Sequence, residues 1–138
     1  PRSQDSGCRP RGWPGLCATL ELKNLIDGKG FGEISEVYAN NLPREVQENT
    51  DKTIVLLRES DTFLGMFGND SFYSKTNQIE VQIFYKLDID FDLDEFETRL
   101  MKWLVSERYK ITDIREHSID PDTLQLTAVF YVENEKLI

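Results

Sequence analysis

The fold is decided by Gln78–Glu107, QIEVQIFYKLDIDFDLDEFETRLMKWLVSE. From Ile79 the residues alternate. Ile79, Val81, Ile83, Tyr85 and Leu87 point one way, and Glu80, Gln82, Lys86 and Asp88 the other, the period-2 pattern of a half-buried strand. Phe84 alone interrupts the polar side. At Asp92 the period changes, and Leu93, Phe96, Leu100, Trp103 and Leu104 make one stripe of an amphipathic helix. Asp92 stands where an N-cap belongs, with Glu95 three residues on as the reciprocal cap. A strand therefore leads into a helix that lies back on the sheet.

Toward the C-terminus, Lys110–Ile119 and Leu124–Glu133 read as two further strands joined by Asp120-Pro121-Asp122-Thr123, with Pro at a turn position and Asp able to bond the backbone. Leu124, Leu126, Ala128, Phe130 and Val132 share one face of the last strand, and Asn134–Ile138 reads as a loose tail. Toward the N-terminus, Thr53–Glu59 (TIVLLRE) has the branched, apolar character of an interior strand and should pair beside 78–88. Between them Ser60–Asn77 reads as a long aromatic loop around Gly65, Gly68, Asn69 and Asp70. Its aromatics either fold down as a satellite cluster or meet a partner. Exposed aromatics at this density favour Phe63, Phe67, Phe72 and Tyr73 as an assembly contact on a mobile loop.

Arg44–Asp51 is a polar connection, and Phe31–Leu42 an extended segment that ends at Pro43. Leu22–Asp27 suits a short helix stopped by Gly28 and Gly30. The run Gly28-Lys29-Gly30-Phe31-Gly32 lacks the spacing of a phosphate loop and reads as a turn. The expected fold is α+β, a mostly antiparallel or mixed sheet with one main amphipathic helix packed on one face.

A chain of 138 residues, 39% hydrophobic and 30% charged, is enough for one core and one domain. Residues 1–21, rich in Pro, Arg, Gly and Ser, read as vector-derived or disordered sequence, leaving 22–138 as the domain. Cys8 and Cys17 both fall in that segment, and a metal pair there would need more ligands than the single histidine, His117, can add. The net charge of -9 opposes a phosphate-gripping surface, so tight nucleic-acid binding is not expected. The chain has no run of about 20 apolar residues, and it reads as a soluble protein made in a cytoplasm.

Asp88, Asp90, Asp92 and Asp94 recur like the start of a calcium loop. An EF-hand needs Gly at its sixth position and an acid at its twelfth, and those places hold Leu93 and Arg99. Acids solvating a strand end and the first turn of a helix account for the run. His117, near Glu116, Asp120 and Asp122, is the one candidate general base, and a lone histidine reads as a surface or turn-bonding residue. The residues thus point to a domain with no catalytic, metal or cofactor site.

Val37–Pro43 (VYANNLP), Thr53–Asp61 (TIVLLRESD), Gln78–Leu104 and Ser118–Val132 (SIDPDTLQLTAVFYV) together resemble the small minor tail proteins of long-tailed bacteriophages. Within these they resemble the tail-terminator or tail-completion family of siphophages of Gram-positive bacteria, over residues 22–134. The resemblance implies a non-enzymatic virion protein that assembles in the host cytoplasm into a ring, usually a hexamer. Such a ring caps the tail tube, contacting the major tail tube protein, and offers head-tail connector proteins a docking surface. Two alternatives stay open: a connector or neck protein, and a monomeric acidic inhibitor that mimics nucleic acid.

Overall fold

In the computed structural model the described residues are 14–47, 49–68 and 71–137, and at 14–17, 66, 67, 72, 73, 136 and 137 only the backbone is described. The elements run α1 (Pro14–Lys29), β1 (Glu36–Ala39), α2 (Arg44–Gln47), β2 (Ile54–Gly68), β3 (Ser71–Phe84), α3 (Leu93–Ser106), β4 (Lys110–Ile114), β5 (Ser118–Ile119) and β6 (Leu126–Leu137). The strands form one six-stranded sheet in the order β1-β2-β3-β6-β4, with β5 also on β6. β1 pairs with β2 in parallel and every other pair is antiparallel, so the fold is α+β with a mixed sheet.

The alternation in β3 does what the sequence requires as far as Tyr85, while Leu87 beyond it is exposed. Ile79, Val81, Ile83 and, just past the strand, Tyr85 are buried, and so are Ala128, Phe130 and Val132 of the neighbouring β6. α3 lies over this face with Phe96, Leu100 and Leu104 fully buried. Each contributes roughly 1.5–3 kcal/mol by leaving water. Asp92 caps α3, its carboxylate accepting the Glu95 N–H at 3.2 Å. The reciprocal half of the cap gives way to an ion pair, since the Glu95 carboxylate accepts from Arg99 Nε at 2.9 Å.

A second helix shares this core, which the expectation of one main helix did not include. Ala18, Leu22 and Ile26 recur every fourth residue along α1 and are buried in the same cluster as Phe96 and Leu100. With Ala18 and Thr19 buried and the helix starting at Pro14, the folded unit begins upstream of the expected boundary at residue 22. A boundary at 22 cuts the apolar stripe in two, and only Leu22–Asp27 then reads as a short helix. The helix ends at Gly30, whose positive φ of 74° takes the left-handed position that favours glycine, with its N–H bonded to the Ile26 carbonyl at 3.3 Å. Cys8 and the side chain of Cys17 lie outside the described residues.

The largest correction is Ser60–Asn77. It is no mobile loop: β2 and β3 continue as paired strands to Gly68↔Ser71, so the connection shrinks to residues 69–70. A β-bulge between Glu59 and Asp61, which leaves Ser60 unpaired, hid the continuity by shifting the alternation of β2 through one residue. The tail is corrected for the same reason, because Asn134–Leu137 extend β6 along β3 as far as Ser74↔Leu137. Ile138 lies outside the described residues. Lys110–Ile119 divides into β4 and β5, and the turn before β6 closes as expected, with Asp120 Oδ1 accepting the Asp122 N–H at 2.8 Å.

Candidate interaction surface

Beyond the helices the sheet thins to an arm made of the outer parts of β2 and β3 and the end of β6. β1 covers β2 only from Ile54 to Leu57. Among the described residues no strand pairs with the outer side of β2 from Arg58 to Gly68. Exposed strand edges are normally guarded by Lys, Pro or inward charge. From Thr62 to Gly68 (TFLGMFG) this edge carries none of these. Phe63 and the adjacent Leu64 are 47% and 46% exposed, one on each face of the arm. Of the residues expected to make a contact, Phe63 lies on this exposed edge. The side chains of Phe67, Phe72 and Tyr73 lie outside the described ones, while their backbones belong to the hairpin.

Local bonds fix the root of the arm. The Ser60 hydroxyl donates to Gln78 Oε1 at 3.0 Å and the Asp61 carboxylate accepts the Thr62 N–H at 2.8 Å. Gly65 faces Ser74 so closely that a Cβ there would come 2.8 Å from the buried Ser74 Oγ, so the strands meet at glycine.

The ionisable residues singled out by the sequence sit elsewhere. His117 Nε2 lies 2.7 Å from Glu97 Oε2, and the same oxygen accepts the hydroxyl of the buried Tyr85. Burial, and then the Glu97 carboxylate, push the Tyr85 phenol above its ordinary value. The structure thus links His117 to α3, where spacing had set it beside Glu116, Asp120 and Asp122. Helix periodicity puts Glu97 next to the core-facing Phe96, but nothing in the sequence pairs it with a histidine 20 residues on. In the acidic run, Asp92 is the helix cap and Asp90 pairs with Lys86 at 3.1 Å. Among the described residues no group of three or more His, Cys, Asp or Glu is placed to hold a metal ion. Arg99, stacked near Phe31 and Phe96, bonds Glu33 and Glu95 and holds the Glu33 carboxyl below its ordinary value.

On the sheet face away from α1 and α3 lies a cleft of about 850 Å³. Its lining includes Ile54, Leu56 and Phe84, together with Asn41, Thr50 and Arg58. This explains Phe84, the apolar residue on the polar side of β3.

These features define a small α+β domain with a helix-covered core and an uncovered strand edge. Residues 17–136 match the pattern of the DUF806 family, described as a protein of unknown function, and the chain belongs to that family. No curated protein matches the chain. No helix among the described residues is long and apolar enough to cross a membrane.

Proposed function

We propose that this domain is a ring-forming structural subunit that caps a bacteriophage tail tube and presents a surface for head-tail joining. The observation that carries this reading is the open edge of β2 from Arg58 to Gly68, unguarded beyond Asp61 and bearing Phe63 and Leu64. An edge of this kind is a template for strand addition from another chain. A head-to-tail contact that closes into a ring removes every such edge at once. The resemblance of Val37–Pro43, Thr53–Asp61, Gln78–Leu104 and Ser118–Val132 to tail-terminator proteins supplies the setting: copies of the chain, the tail tube protein and the head-tail connectors as partners, in the virion tail. A net charge of -9 fits a ring through which DNA passes without being held, because acidic surfaces repel phosphate.

The test is solution mass by light scattering over a wide concentration range, followed by electron microscopy of the protein mixed with purified tail tubes. A ring gives a mass several-fold that of one chain and density at one end of the tube. A single-chain mass at every concentration, with bare tube ends, overturns the proposal and favours the monomeric acidic inhibitor. Rings that bind the connector but not the tube favour the neck protein.

A further inference from the structure

Resting on the ring reading above, we infer that the β2 edge of one copy pairs antiparallel with the outer edge of β4 in the next copy. Arg58–Asp61 would lie along Lys110–Asp113, and the sheet would continue across the subunit boundary. Two rungs of the sheet set this register. Asp61 pairs with Gln78, Gln78 with Glu133 and Glu133 with Lys110, so one rung begins on an acid at the β2 edge and ends on a base at the β4 edge. The adjacent rung on the same face runs Arg58, Glu80, Tyr131, Asp113, beginning on a base and ending on an acid. Partners across a ladder share a face. A neighbour continuing the sheet in register therefore brings Asp61 against Lys110 and Arg58 against Asp113, matching both charges at once.

Strand direction agrees. β4 is antiparallel to β6, β6 to β3 and β3 to β2, so β4 runs opposite to β2. Rotation about a ring axis lying along the strands preserves that direction, and the new pair is antiparallel, the more stable ladder. The charges at these ends are available. Among the described residues Arg58 and Lys110 have no ion pair, and Asp113 has only Arg115, at 3.0 Å. β4 and the neighbouring β5 also leave Ile114 59% and Ile119 57% exposed, apolar surface that a second copy would cover.

Charge reversal tests the pairing. Asp61→Lys and Lys110→Asp, each alone, place like charges together and should raise the concentration for half-assembly by about ten-fold. The two combined should return it to within about two-fold of the original, because only the pair restores attraction. Thermal unfolding of each variant checks that the fold persists. Arg58→Asp with Asp113→Arg repeats the experiment on the second rung should a first-rung variant fail to fold. A wild-type protein that stays single-chain overturns the ring reading and this inference together. Rings that form but ignore both reversals, or in which the double variant assembles no better than the singles, overturn the β2–β4 pairing and leave the ring reading standing.

Discussion

The hairpin of β2 and β3 is one continuous ladder with two different lives. From Ile54 to Leu57 the inner half of β2 is buried on both faces, with Val55 and Leu57 under the helices and Ile54 and Leu56 at the floor of the cleft. Past the bulge at Ser60 the same strand is exposed from Asp61 to Leu64, with neither β1 beside it nor a share in the core cluster. β3 pairs with both halves, and what differs is the second neighbour, β1, and how much apolar surface leaves water. The inner half should therefore govern stability and the outer half association.

The largest expected effect lies on the inner side. Phe96→Ala removes a fully buried ring packed near Phe31, Tyr85 and Phe91, and should cost about 3–5 kcal/mol in chemical unfolding. The matching change on the outer side, Phe63→Ser with Leu64→Ser, should alter unfolding by no more than about 0.5 kcal/mol while abolishing self-association by light scattering. A large loss of stability in that double variant would erase the distinction between the halves. Asp92→Ala, which removes the α3 cap, should cost about 1 kcal/mol in the same unfolding assay, with no change in assembly.

The Arg99 bridge makes stability respond to pH. Its hydrogen bond keeps Glu33 below the ordinary carboxylate value of 4.5, against partial desolvation. A depressed folded pKa contributes stability above the unfolded value, and that contribution disappears as pH falls through the folded one. Arg99→Gln should thus be less stable than wild type at neutral pH, and the two melting curves should converge in acid. A gap that persists unchanged into strong acid would assign the effect to packing on Phe31 and Phe96. Smallest of all, His117→Ala should shift unfolding by less than about 0.5 kcal/mol, since the histidine is solvent-exposed and the Tyr85 hydroxyl keeps its bond to Glu97.

The inner half was the legible half. Period-2 burial at Ile79, Val81 and Ile83 and the stripe through Phe96, Leu100 and Leu104 are direct consequences of facing a core, and both appear in the residue pattern. The arm faces no such constraint. Its strands are held by backbone pairing and by short polar contacts such as Ser60 with Gln78, which leave no apolar period, and the bulge at Ser60 breaks what alternation there is. Glycines and aromatics there look like loop material. α1 was lost for another reason: Ala18, Leu22 and Ile26 are evenly spaced, but a small alanine in a Pro- and Arg-rich context gives weak evidence of a helix. Of the candidate surface, the exposure of Phe63 is legible from its type and its turn-forming neighbours. The complementary rungs ending at Lys110 and Asp113 depend on strand order, which local sequence does not encode.

That strand order also has a bearing on how the protein is made. β6 is inserted between β3 and β4, although β4 precedes it in the chain. Ribosomes deliver Lys110–Ile114 before their only strand neighbour among the described residues exists, and β3 waits with one bare side until Leu126–Leu137 follow. Pairings as distant as Ser74 with Leu137 close late, since long segments must be brought together first. In that interval β3 offers nascent chains an edge to join, and a slowed stretch of translation after β4 would prolong it. Soluble yield in a host cell should then depend on the speed at which β6 arrives as well as on the stability of the finished sheet.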